Sequence, residues 1–169
     1  MSSPAISLRP PRDSDIDVLT TLRRDTALWH TLLAYPPPEP PSAPEVRDWI
    51  ARRSGEPGGC FLVVADDRDQ TVGFVQVMDV HRRGRLGKIG IALTAEARKK
   101  GLGGLALGQL LTYARDTLGL RKLLIEVRAD NAAAVALFRA AGFDKVGVMR
   151  AHYGESGDYH DVALMELVD

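Results

Sequence analysis

Apolar and polar positions along the chain fall into two rhythms, one with the period of a strand and one with that of a helix. Ile6 and Leu8 alternate with polar neighbours just before Pro10-Pro11, so Ile6–Arg9 reads as a short strand stopped by residues with no N–H to donate. Ile16, Leu19 and Leu22 then recur at helical spacing behind Asp13 and Ser14, either of which can cap the helix, and residues 28–35 prolong the helical region. The proline run over 36–41 stops it and predicts a stiff, extended loop. Val46, Trp49 and Ile50 share one face of a helix predicted over Pro44–Ser54, with Ser42 as its cap. Cys60–Ala65 and Thr71–Met78 are strand-like runs around Asp66-Asp67-Arg68-Asp69, the pattern of a hairpin. A basic turn over His81–Gly87 leads into a buried strand, Ile89–Leu93.

The second half repeats the two rhythms. Leu107, Leu110, Leu111, Ala114 and Leu118 mark a long helix that begins at Gly101-Leu102-Gly103-Gly104. In the strand Lys122–Arg128 the odd positions Leu123, Ile125 and Val127 share one face, which turns Glu126 to the other. Asp130-Asn131 opens a last helix. Gly142 closes it as a left-handed residue, with Phe143 placed for the accompanying apolar contact. Two final strands, Lys145–Arg150 and Tyr159–Val168, flank Gly154–Gly157. The tally is about seven strands and about four helices, an α/β arrangement.

Composition narrows the function classes. A chain of 169 residues is enough for one well-buried core, so residues 1–169 are expected to form a single domain. Formal net charge is zero, leaving no global field to recruit nucleic acid or an anionic membrane. No apolar run is long enough to span a bilayer and nothing at the N-terminus resembles a signal peptide, so a cytoplasmic protein is expected. Cys60, the lone cysteine, sits in an apolar run and reads as a buried, inert thiol. His30, His81, His152 and His160 are scattered without metal-ligand spacing, so no metal is expected.

The strand-turn-helix over Ile89–Leu111 carries the candidate chemistry. The first N–H groups of a helix lack carbonyl partners and bear the positive end of its dipole, and glycines let a phosphate approach them closely. Arg98, Lys99 and Lys100 add charge at the mouth of that turn. Gly101-Leu102-Gly103-Gly104-Leu105-Ala106 fits the dinucleotide fingerprint, with Glu126 about twenty residues on as the ribose-binding acid. Against that NAD reading, Thr94–Lys100 separate strand from glycines, and two hairpin strands precede the unit.

Arg98–Gly103 also reads R-x-x-G-x-G, which resembles the acyl-CoA pyrophosphate loop of the GNAT superfamily of acetyl-CoA-dependent N-acetyltransferases. Downstream, Asn131–Phe143 looks like the same superfamily's N-x-x-A-x-x-L-[Y/F]-x-x-x-G-F helix. The resemblance implies a mixed, mostly antiparallel seven-stranded sheet with a splay between the Ile89 and Lys122 strands, where cosubstrate and acceptor meet. It implies that the backbone of Ile91, Ala92 and Leu93 pairs with the pantetheine arm. It also implies that Arg98, Lys99, Lys100, Gly101, Leu102, Gly103 and Gly104 hold the diphosphate, and that Asn131, Ala134 and Phe138 line the other side of acetyl-CoA.

Glu126, a carboxylate near the end of an apolar strand beside that slot, is the candidate general base. It matches the catalytic glutamate of the ribosomal-protein alanine N-acetyltransferases, which Leu124–Arg128 resembles; a charge merely paired with Arg128 or Arg98 is the plainer alternative. Where family members commonly carry a tyrosine that protonates the CoA thiolate, this chain has Phe138. That departure motivates an alternative in which the domain binds acyl-CoA as a sensor without transfer. Tyr153 and Tyr159 are stand-in candidates near the site, and the resemblance lays Trp29, His30 and Tyr35 over the acceptor groove. Gly157–Val162, with Asp158 and Asp161, resembles the C-terminal segment of spermidine and related small-amine acetyltransferases. The implied acceptor is a primary amine, of a small molecule or a protein N-terminus. A homodimer is the expected assembly.

Overall fold

A computed structural model of the protein describes residues 5–34 and 37–169. One seven-stranded sheet runs through it, in the order β1-β2-β3-β4-β5-β7-β6. The strands are β1 (Ile6–Arg9), β2 (Cys60–Asp66), β3 (Thr71–His81), β4 (Leu86–Leu93), β5 (Lys122–Arg128), β6 (Asp144–Glu155) and β7 (Asp158–Val168). All neighbours are antiparallel except β4 and β5. That one parallel junction rules out the doubly wound dinucleotide fold, in which crossover helices join a mostly parallel sheet.

Each face of the sheet has its own core. Val64, Val75, Val77, Ile89, Leu123, Val127 and Met165 pack against Leu107, Leu110 and Ala114 of α4 (Leu102–Asp116) and against α5 (Ala132–Ala140). On the opposite face Phe61, Val63, Phe74 and Ala92 meet Leu19 of α1 (Ile16–Arg24), Trp29 of α2 (Thr26–Thr31), and Val46, Trp49 and Ile50 of α3 (Ala43–Ser54). The period-2 pattern of the strands decides which residue joins which core.

Five α-helices form among the described residues instead of about four, because the chain breaks at Asp25 (ψ 90°), whose carboxylate accepts the Leu28 N–H and starts α2 afresh. The α3 cap is as expected: Ser42 and Glu45 satisfy each other's backbone N–H groups. Gly142 (φ 97°) ends α5, with its N–H bonded to the Arg139 carbonyl and that of Phe143 to Phe138 at 3.0 Å each. The Phe138 and Phe143 rings meet edge-to-face 5.5 Å apart, the apolar contact that goes with this ending. β3, β4 and β6 run longer than their apolar runs, since ladder pairing continues through polar residues such as His81 and Lys88.

A buried ionic cluster ties β1 to the β2–β3 turn. Arg9 donates to both carboxylate oxygens of Asp15 (2.8 and 2.9 Å) and to Asp69 (2.8 Å), while Thr71 donates to Asp15 at 2.5 Å. Burial pushes the Asp15 carboxyl up, but hydrogen bonds from Arg9, Thr71 and Arg12 outweigh it and hold it at about 2.

Candidate active site

The loop from β4 to α4 carries the candidate anion cradle. Lys99 (φ 60°) and Gly101 (φ 75°) are both left-handed, and Gly101 is the N-cap of α4. A side chain caps α2, α3 and α5, from Asp25, Ser42 and Asn131, whereas α1 and α4 have no side-chain cap among the described residues. The N–H groups of Leu102, Gly103 and Gly104 therefore remain open to an external acceptor. Lys99 and Lys100 stand exposed beside them, and the Leu102 side chain is buried, so only its backbone serves the cradle. A Cβ on Gly103 would lie 3.7 Å from Leu93 and Leu137, so it is approach from outside, not internal packing, that a side chain there would obstruct. Arg98 is turned partly inward: its Nε donates to the Leu93 carbonyl (3.0 Å), and its guanidinium pairs with Asp25 at 3.3 Å.

The cleft beside the cradle comes from the parallel junction. β4 and β5 pair only at Leu86↔Lys122, Gly87↔Leu123 and Lys88↔Leu124, then part. Ile89–Leu93 keep β3 on one side and, among the described residues, pair with no strand on the other. Alternate backbone groups of Ile91, Ala92 and Leu93 thus form an open strand edge inside the molecule.

Glu126 lies two residues beyond the last pair, about a third exposed, on the face shared by Lys88 and Leu124. Its partner is neither Arg128 nor Arg98 but Lys88, with Nζ 3.2 Å from Oε1; Lys88 also lies 3.8 Å from Asp79. Arg128 is held by Asp130 (3.0 and 2.6 Å) and donates to His160 Nδ1 at 3.1 Å. The strand pattern alone did not reveal Lys88, because its meeting with Glu126 depends on a parallel register between distant segments.

Among the groove residues, His30 and Tyr153 come together. The β6–β7 ladder slips between Met149 and Tyr153, and Ala151 (φ 45°) gives its N–H to Asp161 at 2.8 Å. This irregularity turns Tyr153 inward, where its hydroxyl donates to the Ala34 carbonyl and lies 3.0 Å from His30 Nδ1. Trp29 is a correction: it is 6% exposed, its Nε1 donates to the Leu22 carbonyl, and Arg23 stacks on its ring at 4.0 Å, so it belongs to the core. Tyr159 stands 57% exposed on β7. Tyr35 lies outside the described residues. Asp161 is used by the β6 irregularity and Asp158 is 87% exposed near His160, so the two form no paired cation site.

Asn131 spends its Oδ1 on the Ala134 N–H (3.2 Å), which leaves its amide nitrogen as the group that can reach a ligand. Ala134 is half-buried against the core, and Phe138, 3% exposed, sits inside that core rather than at its surface. Gln76, opposite Gly90 on the Glu126 face, has an Oε1 buried without a partner among the described residues. Burial pushes the Cys60 thiol up to about 11. A hollow of about 550 Å³ is lined by Val135, Arg139, Lys145 and Ala163, without Glu126.

The fold is thus α/β, with a helix start lacking a side-chain cap at one end of a split sheet and a carboxylate on the wall of the split. Residues 6–144 match the family described as acetyltransferase (GNAT) domain, and the chain belongs to that family. It is 31% identical over 105 residues to ribosomal protein bS18-alanine N-acetyltransferase of Salmonella typhimurium, covering 62% of this chain and 68% of that one. It is 26% identical over 107 residues to spermidine N(1)-acetyltransferase of Vibrio cholerae, covering 63% and 62%. In fold it resembles the crystal structure of the Vibrio cholerae spermidine N-acetyltransferase with CoA and spermine, with a TM-score of 0.88, 21% identity, and 96% and 95% of the two chains covered. It also resembles a phosphinothricin acetyltransferase of Sinorhizobium meliloti in complex with AcCoA, with a TM-score of 0.81, 24% identity, and 99% and 89% covered.

Proposed function

We propose that the protein transfers an acetyl group from acetyl-CoA to a primary amine, carried by a small molecule or by a protein N-terminus, by direct attack with Glu126 as general base. The observation that carries this reading is the split of β4 from β5 immediately before Glu126, with the uncapped start of α4 at its other end. The open N–H groups of Leu102–Gly104 with Lys99 and Lys100 suit a diphosphate, and the β4 edge suits the two amides of a pantetheine arm. Acetyl-CoA supplies the activated acyl group. Glu126 takes a proton from the acceptor ammonium on the face away from α4 and α5. Phe138 has no proton to give, so the reading leaves the thiolate to solvent. The acceptor is a primary amine in either source that the relatives' names suggest, a polyamine or an N-terminal alanine.

Thiol release measured over a panel containing spermidine, an alanine-initiated peptide, amino sugars and amino acids tests this. Turnover of at least one amine is expected, and CoA binding without release on any of them would reject transfer. The reading extends to assembly as a homodimer, supported by the long edge strand β6 with Val146 and Val148 exposed. Light scattering should give twice the 18.4 kDa chain mass, and Val148→Lys should halve it.

A further inference from the structure

We infer that Lys88 is itself an acetyl acceptor: the enzyme acetylates the Nζ of its own Lys88, with Glu126 as the base. This rests on the acetyl-transfer reading above. The geometry is that of an acceptor already in place. Lys88 Nζ is a primary amine 3.2 Å from the carboxylate assigned to deprotonate acceptors, and its side chain is 39% exposed. Both residues project from the same sheet face at the point where the strands part.

The reach is also right. A strand rises about 3.3 Å per residue, so running back along β4 from Leu93, beside the phosphate cradle, to Gly90 or Lys88 spans roughly 10–17 Å. An extended pantetheine arm covers a distance of that order, which brings the thioester to the vertex and not to the outer end of the cleft. Gly90, between cradle and vertex, has no side chain of its own; the Gln76 amide leans into that space, with Nε2 3.0 Å from where a Cβ would be. Gln76 Oε1, buried and unpartnered among the described residues, offers an acceptor for an amine hydrogen on this face. No other lysine is so placed: Lys122 is paired with Glu166, Lys145 lines the hollow with Val135 and Arg139, and Lys99 and Lys100 lie in the loop before α4.

The step balances without any further reactant. Glu126 accepts one proton from the Lys88 ammonium, and the freed nitrogen pair attacks the thioester carbonyl. The N–C bond forms as the C–S bond breaks. The thiolate leaves and takes up a proton, while the new amide nitrogen sheds its second proton to solvent. The products are a neutral acetyl-lysine and CoA thiol, with one proton released overall. The modified side chain can no longer form its ion pair with Glu126, and its added bulk stands in the path of an incoming amine.

The test is incubation of the full chain with acetyl-CoA and no acceptor, followed by peptide mass spectrometry with time. Acetylation of Lys88 is expected to outpace that of Lys99, Lys100, Lys122 and Lys145 by roughly tenfold or more, and to slow by at least that factor in Glu126→Gln. Its first-order rate should not change with protein concentration, as an in-chain step requires. Lys88→Arg, which keeps the charge, should abolish the modification while circular dichroism shows the fold retained. Lys88 left unmodified by protein that turns over an external amine, or modified equally fast in Glu126→Gln, overturns the inference and leaves the acetyltransferase reading standing. Absence of CoA binding by calorimetry would remove both. A rate that rises with protein concentration would overturn the in-chain step.

Discussion

Glu126→Gln removes one proton acceptor and the charge that pairs with Lys88, while the amide keeps the carboxylate's shape at a site already about a third exposed. Turnover is expected to fall roughly a hundredfold or more, the usual scale for a lost general base, with CoA affinity nearly unchanged. Steady-state kinetics beside calorimetry check the split; full activity would move the base elsewhere. Asp15 gives a residue-level prediction about stability. Its carboxyl is held at about 2, below its usual value near 3.9, so the folded state favours the charged form. The resulting stabilisation, about 2 kcal/mol, is complete above roughly pH 5 and is lost as pH falls toward 2. Acid unfolding followed by circular dichroism should show that dependence. It should vanish in Asp15→Asn, which also leaves Arg9 without its buried partner and costs about 3 kcal/mol at neutral pH. Individual side chains were the least legible level of the sequence. Glu126 could be placed by strand parity, but its partner Lys88 could not. Trp29 looked like a groove residue because an aromatic on a helix carries the same pattern whether it binds a ligand or fills a core.

Elements were far more legible, because caps and periodicities are local. Ser42 announced the start of α3, and Gly142 with Phe143 announced the end of α5, and both behave in the structure as their chemistry requires. What local pattern missed was pairing through polar residues: His81–Gly87 read as a turn, yet β3 reaches His81 and β4 starts at Leu86 because each strand supplies the other's ladder. The break at Asp25 was hidden for the opposite reason, a residue able to cap sitting inside an apparently continuous helix. The glycine turn was legible as the start of a helix, and it gives the element-scale prediction. Gly103→Glu adds a side chain with room inside the fold but with a negative charge at the open start of α4. Affinity for CoA should fall at least tenfold by calorimetry while the melting temperature stays within about 2 °C, a shift well under 1 kcal/mol. Retained affinity in a folded variant would show that the cradle is not the diphosphate site.

For the molecule as a whole, the strand order could be anticipated only through resemblance, since nothing local in β5 says that it lies beside β4 and not beside β6. The shortness of that junction has a consequence for how the protein comes apart. Four strands on one side and three on the other are sewn together by three residue pairs, so the sheet has a seam, and the helices packed across it carry the rest of the join. A guest that lays its amides along the free edge of β4 lengthens the stitching. Hydrogen exchange at Ile89–Leu93 should be fast for a residue so deep in the sheet, and should slow when CoA is added, while the β2–β3 ladder changes little. Because the guest binds only the folded form, the unfolding midpoint should climb with CoA concentration, by about 2.7 kcal/mol of added stability at a hundred times its Kd. An unfolding midpoint indifferent to CoA would mean that CoA does not bind the folded protein, and exchange at Ile89–Leu93 unchanged by bound CoA would mean that the seam is not where it binds. Read mechanically, an acyl donor bound as proposed would be a removable stitch, and its departure would return the protein from a tighter to a looser state.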